Sequence, residues 1–291
     1  MAKIWHFSGA GNDFVVLDGR REDLSVYRDA AEIGRLCREY RTDGLMILSE
    51  GAPGEDFKME FYNPDGSSGM MCGNGGRCIA AFADLLGIPS KGAYLFRAAD
   101  GLHTAEILSR EGSRWTVRLG MKDVDGVTPV LGGYFLDTGT RHFVKFVPDV
   151  EAVDINSEGP ALRHAPEFAP AGTNVNFVQL LPGGGIKVRT FEKGVEGETL
   201  ACGTGITASA LATAFSGQLP GTAAHSTTPA TATPWPAGPA SIDGLSAANP
   251  AVGALYHVPV QARRDELAVD FVRDGADSFR HVFLTGPAEL L

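Results

Sequence analysis

Two cysteines share one kind of neighbourhood. Asp65-Gly-Ser-Ser-Gly-Met-Met-Cys72-Gly-Asn-Gly-Gly-Arg77 and Glu196-Gly-Glu-Thr-Leu-Ala-Cys202-Gly-Thr-Gly-Ile-Thr207 follow one order: an acid and a glycine, then a cysteine, then Gly-x-Gly, then a helix-forming run. A cysteine at a helix N-terminus sits at the positive end of the macrodipole, which favours thiolate over thiol. The glycines let backbone N–H groups crowd toward a bound anion. Each copy therefore offers a reactive sulfur and a carboxylate cradle. Two copies facing each other would place a sulfur on either side of one α-carbon. The cradle would also stabilise negative charge flowing into the carboxylate. One cysteine would take the Cα proton as thiolate, and the other would return a proton to the opposite face as thiol. That is racemisation with no cofactor.

The elements that must hold these groups can be read from hydrophobic period and turn chemistry. Strands around Ile4–His6 and Phe14–Leu17 flank a Gly-rich turn, Ser8 to Asn12. Residues 29–40 read as a helix with Ala30, Ile33, Leu36 and Cys37 on one face. Strands follow at 44–48 and 57–62, a turn at Asn63-Pro64-Asp65-Gly66, and a helix from Asn74 to Leu86 closed by Gly87. Further strands read at 93–97, 103–108, 114–119, 142–147, 174–180 and 186–192. A second helix runs from Gly203 to Ser216, and the tail has strands at 258–262, 267–272 and 280–285. The pattern predicts an α+β fold of two similar lobes, each a mixed or antiparallel sheet wrapped around a central helix, with the site in the cleft between them. The first lobe spans 1–120, completed by the last strand at about 280–291, and the second spans 121–279. Residues 219–250 stand apart: six prolines, eight alanines, one acid and no Lys or Arg read as a mobile surface insertion.

Length and charge narrow the function classes. A chain of 291 residues with 44% hydrophobic content can bury a real core. A formal charge of −10 argues against a nucleic-acid partner. The sequence has no apolar run long enough to span a bilayer and starts without a secretory leader, so a cytoplasmic location is expected. The four cysteines are then free thiols. Cys72 and Cys78 have a C-x5-C spacing that is not a usual zinc spacing, so no metal is expected; Cys37 and Cys78 read as core residues.

The segments SGAGNDF at 8–14, FYNPDGSSGMMCGNGGRC at 61–78, NVNFV at 174–178 and FEKGVEGETLACGTG at 191–205 resemble the diaminopimelate epimerases, as do RRDELAVDF at 263–271 and LTGPAELL at 284–291. The likeness covers nearly the whole chain except 219–250. It implies interconversion of LL- and meso-diaminopimelate without PLP or metal, for lysine and peptidoglycan synthesis, by a homodimer. Cys72 and Cys202 become the acid/base pair. The backbone N–H groups of Gly73, Asn74, Gly203 and Thr204 would hold the reacting carboxylate. Asn12, Asn63 and Asn174 match positions that contact substrate, and Glu192 matches an acid that meets the substrate ammonium.

Three positions depart from the commonest family pattern. Lys193 stands where an arginine usually faces the distal carboxylate, and a lysine supplies charge without a planar fork. Thr140-Arg141-His142 replaces Asn-Pro-His, and Gly44 replaces glutamine. All three bear on the distal group more than on the chemistry. A sister racemase acting on proline or hydroxyproline is the main rival, and Lys193 with the three asparagines counts against it. A cysteine hydrolase pairing Cys72 with His142 would leave Cys202 unexplained. An isomerase of the phenazine-biosynthesis type would lack the cysteine pair. An amino-acid-binding module is the last rival, though the sequence suggests no lost catalytic residue. His142 itself reads as a satisfied histidine.

Overall fold

A computed structural model describes residues 2–69, 71–219 and 253–291. The insertion read at 219–250 lies almost wholly outside the described residues.

The chain opens with a hairpin, β1 (Trp5–Gly9) and β2 (Asn12–Asp18). Its two-residue turn, Ala10-Gly11, has φ of +55° and +96°, the mirror-image geometry that suits the twist of a hairpin. A helix, α1 (Ala30–Tyr40), crosses to β3 (Gly44–Ser49), which runs parallel to β2, and β4 (Phe57–Tyr62) returns antiparallel. The helix α2 (Gly73–Leu85) crosses to β5 (Tyr94–Ala98), parallel to β4. A meander of β6 (Gly101–Glu111) and β7 (Arg114–Gly120) follows.

The same order then recurs. After a short strand β8 (Thr128–Val130), β9 (Gly133–Asp137) and β10 (Arg141–Phe146) pair antiparallel. A helix, α3 (Ile155–Arg163), crosses to β11 (Asn174–Leu180), parallel to β10, and β12 (Ile186–Glu192) returns, carrying a short extra strand β13 (Gly197–Thr199). The helix α4 (Gly203–Phe215) leads to β14 (Leu255–Gln261), parallel to β12, and β15 (Glu266–Arg273) and β16 (Phe279–Leu290) finish the meander. Each parallel step uses a helix, as such crossovers require. The two similar cysteine motifs thus sit at matching places in a repeat of hairpin, helix, strand pair, helix and meander.

β16 belongs to both halves. Its first part pairs with β15, while Gly286–Glu289 pair with β7 and Glu289 and Leu290 pair with β1. The first lobe thereby closes into a barrel around α2. α2 is buried on every side, with Cys78, Ile79, Phe82 and the alanines between them packed against Phe7, Met46, Phe96, Trp115 and Val117. α4 fills the second lobe in the same way, with Ile206, Leu211 and its alanines against Val188, Val258, Phe271 and Leu284. Its buried Thr207, Ser209 and Thr213 hydroxyls each donate to a carbonyl one turn back, so no polar group is orphaned. α1 and α3 cover the outer faces, on Val15, Leu17 and Ile47 in one lobe and on Phe143, Val175 and Phe177 in the other. Among the described residues no helix is long and apolar enough to cross a membrane.

Candidate active site

Cys72 and Cys202 are the N-cap residues of the two central helices. Cys72 has extended backbone (φ −109°, ψ 150°), and its sulfur accepts the Gly75 N–H at 3.2 Å. Cys202 has φ −106° and ψ 107°, and its sulfur lies 3.4 Å from the Thr204 hydroxyl. The two helices meet end to end. A Cβ added at Gly73 would stand 3.2 Å from the Gly203 Cα, and one added at Gly203 would stand 3.0 Å from the Gly73 Cα. Glycine after each cysteine is therefore a packing requirement. It lets two helix N-termini, with their unpaired N–H groups and positive dipole ends, converge on one spot.

Further contacts tie the lobes together there. The Asn74 side chain is buried and donates to the Ala201 carbonyl at 2.9 Å and to the Asn12 side-chain oxygen. Asn12 in turn donates to the Asp43 carboxylate at 3.1 Å. The hairpin tip at Gly11 lies against Leu200, and Ala10 joins the apolar cluster of the second lobe.

Behind Cys202 runs a polar chain inside the second lobe. His142 is fully buried. Its Nδ1 accepts from the Asn176 amide at 3.1 Å, so its proton sits on Nε2, which faces the hydroxyls of Thr204 at 3.0 Å and Thr140 at 2.9 Å. Asn176 also donates to the Phe143 carbonyl and accepts from Thr190, which fixes its orientation. Burial pushes His142 down to about 3, so it stays neutral at ordinary pH. A neutral donor at Nε2 leaves the Thr204 hydroxyl free to donate to the Cys202 sulfur. His142 meets the expectation of a satisfied histidine, and its ring nitrogens are engaged with Asn176, Thr140 and Thr204 rather than with Cys72.

The family model described as diaminopimelate epimerase matches residues 5–124 and 134–231. A diaminopimelate epimerase of Flavobacterium psychrophilum is 40% identical over 219 residues, which is 74% of this chain and 83% of that one. The chain belongs to the diaminopimelate epimerase family. Another member, from Chlorobaculum tepidum, is 40% identical over 210 residues, covering 70% of this chain and 80% of the relative. Among solved structures, a phenazine biosynthesis protein of the PhzF family from Bacillus anthracis superposes with a TM-score of 0.64 at 13% identity, covering 100% of this chain and 97% of its own. That likeness establishes the α+β, two-lobed epimerase fold.

As a diaminopimelate epimerase family member, the chain places the other expected residues unequally. Glu192 ends β12, half-buried, with its carboxyl raised by burial and its charge felt at both thiols. Lys193 follows it, exposed, and among the described residues no carboxylate pairs with its ammonium. Asn174 is buried and spends its side chain on the protein, donating to the Arg141 carbonyl and accepting the Lys193 N–H at 2.8 Å. It fixes the Glu192–Lys193 corner. Asn63 donates to the Ser67 hydroxyl of its own turn at 3.0 Å. Gly44 lies against the Phe61 ring and the Tyr62 carbonyl, so a glutamine there would have no room.

One expectation is corrected. Helix ends were expected to favour the thiolates, yet both thiols are pushed up, Cys202 to about 12. Burial is the main cause in each, and the Glu192 carboxylate adds to it. The N–H groups and the Thr204 hydroxyl pull the other way and do not win. Asn176 and Asp43 are parts of the site that the sequence reading missed, and Thr140, read as bearing on the distal group, instead meets His142 and Thr204 behind Cys202. Asn174 and Asn176, two apart on one face of an apolar strand, carried a signal for Asn176; Asp43 carried none.

Proposed function

We propose that this chain epimerises 2,6-diaminopimelate between its LL and meso forms by proton transfer through Cys72 and Cys202. The observation that carries the proposal is the meeting of two cysteine-capped helices at Gly73 and Gly203, with Glu192 acting on both sulfurs. The substrate's reacting carboxylate lies on the N–H groups of Gly73, Asn74, Gly203 and Thr204. There the aci-carboxylate charge of the carbanion is met by donors already in place. The α-ammonium pairs with Glu192, which cancels the charge that discourages thiolate formation. A buried thiolate of raised basicity is a better match for a weakly acidic Cα–H than an ordinary one. The thiolate becomes a thiol, and the opposite thiol gives its proton to the other face and becomes the thiolate.

Lys193, exposed beside Glu192 and held in place through Asn174, faces the distal carboxylate as a point charge. Asn12 and Asn63 complete substrate contact. This favours diaminopimelate over proline, which has no second carboxylate. By likeness to the family, the chain works as a cytoplasmic homodimer and its product enters lysine and peptidoglycan synthesis.

The test is incubation in D2O with LL-diaminopimelate or L-proline, without added cofactor, following Cα–H loss by NMR. Exchange with inversion of diaminopimelate alone is expected. Exchange of proline alone would move the chain to a sister racemase, and no exchange of either in reduced protein would remove the proposal.

A further inference from the structure

The two halves of the site are built alike at one more position. Five residues beyond each cysteine, a side chain turns back to the carbonyl of the glycine that follows the cysteine. Arg77 Nη1 donates to Gly73 O at 3.0 Å, and Thr207 Oγ1 donates to Gly203 O at 2.9 Å. The structural task is the same, but one occupant is a cation and the other is neutral.

Arg77 is fully buried. Its other donors go to Asn74 Oδ1 at 2.9 Å and to Pro287 O at 3.1 Å. Among the described residues no carboxylate pairs with it. A guanidinium keeps its proton in proteins. A buried cation with no counter-ion in contact is costly, and the cost falls if an anion forms nearby. Cys72 caps the helix on which Arg77 sits, and a thiolate there is such an anion. The hydrogen-bonding role alone needs no charge, as Thr207 demonstrates in the other lobe.

We propose that Arg77 is a positioning residue that sets the charge asymmetry of the site, making Cys72 rather than Cys202 the thiol that ionises first in the free enzyme. The inference rests on the two-cysteine reading above and adds a direction to it. In one turnover Cys72 S⁻ receives the Cα proton and becomes the thiol, while Cys202 S–H gives its proton to Cα and becomes the thiolate. The enzyme then holds its charge on the sulfur without a buried cation behind it. It resets by moving one proton from Cys72 to Cys202 through solvent or a second substrate.

The charged and titratable groups acting on each sulfur fit this asymmetry. On Cys72 they are Glu192, which opposes its thiolate, and Arg77, which favours it. On Cys202 they are Glu192 and Cys72, both of which oppose the thiolate, and the favourable groups there are the neutral Thr204 hydroxyl and the Gly205 N–H. Asp43 acts on Glu192, and Asp265 and Cys78 act on Arg77.

The test is alkylation of the reduced full chain with iodoacetamide from pH 6 to 10, with the modified peptides quantified by mass spectrometry. In the wild type, the rise of Cys72 labelling is expected at least one pH unit below that of Cys202, about a tenfold difference in thiolate fraction at neutral pH. Arg77→Gln keeps an amide with two donors in place of the three that the guanidinium uses but removes the charge. It is expected to move the Cys72 profile to higher pH and leave the Cys202 profile in place, while Arg77→Lys keeps Cys72 ahead. A mere packing defect would change rates at all pH values without moving one profile against the other. Cys202 labelling at a pH equal to or below that of Cys72 in the wild type would overturn the inference, and this arm stands even if the glutamine variant fails to fold. An unmoved Cys72 profile in folded Arg77→Gln would overturn it too. Labelling needs no substrate, so a chain with the expected order but no epimerisation would keep the inference and lose the proposed function.

Discussion

At the scale of single residues, the site depends on two sulfurs whose environments oppose their own ionisation. Replacing either Cys72 or Cys202 by alanine removes one proton-transfer partner and creates only a small hole. Turnover should fall by roughly 10²–10⁴-fold or more in each variant, with the circular dichroism spectrum unchanged. Near-normal turnover in either would end the two-base mechanism. His142 gives a separate handle through stability. Its folded value of about 3 lies below its ordinary 6.5, so between those limits the unfolded chain holds a proton that the fold refuses. The sign follows: this residue costs nothing above pH 6.5 and destabilises the fold as pH drops from 6.5 toward 3. From pH 6.5 to 5 the loss is about 2 kcal/mol at most. In His142→Gln that contribution should vanish. The urea midpoint of the variant should therefore drop less between pH 7.5 and 5 than that of the wild type. Equal drops would mean that the histidine is not held neutral.

At the scale of elements, the site is made by two helix ends that touch. Gly73→Ala or Gly203→Ala would put a methyl group 3.0–3.2 Å from the facing backbone, and backbone cannot swing aside as a side chain can. Each variant should lose about 1–3 kcal/mol of stability from overpacking and a larger share of kcat than of substrate affinity, because the sulfurs move apart. Differential scanning calorimetry and steady-state kinetics check the two parts. An alanine variant with wild-type kcat would show that the close approach is not used. Both helices were legible in the sequence, since a cysteine-glycine start, an apolar run and a closing glycine each have a local cause. The outer helix α3 was not, because Gly159 and Pro160 inside it are breaker signals. The fold tolerates them because Gly159 lies directly against the Phe191 ring and the Asp154 side chain caps the first turn. The β8–β9 hairpin was also missed: Leu131 takes a positive φ of 47° that turn statistics assign to other residues, and Pro129 disguises the strand. For the site, the cysteines and glycines were readable because one motif occurs twice. The raised thiols were not, because burial is decided by strands far away in sequence. The asparagines were named from the family likeness, which did not reveal that Asn74 and Asn174 spend their side chains on the protein.

At the scale of the whole molecule, one strand makes two lobes into one folding unit. The last part of β16 fills the gap between β1 and β7, and its Pro287 carbonyl accepts from the buried Arg77. Its first part is an interior strand of the second lobe. Neither barrel nor site can therefore be complete before the final residues of the chain are in place. Urea unfolding of the intact protein should give one transition, coincident by circular dichroism, which reports both lobes, and by tryptophan fluorescence, to which Trp5 and Trp115 of the first lobe contribute. Removing 286–291 should do more than fray an end. It would leave two unpaired strand edges beside Phe7 and Trp115 and deprive Arg77 of an acceptor. The truncated chain is expected to aggregate or to lose its cooperative transition, with no epimerase activity. Two separate transitions in the intact protein, or a truncated chain that melts near the wild-type midpoint, would show that the lobes are independent and that the shared strand merely decorates them.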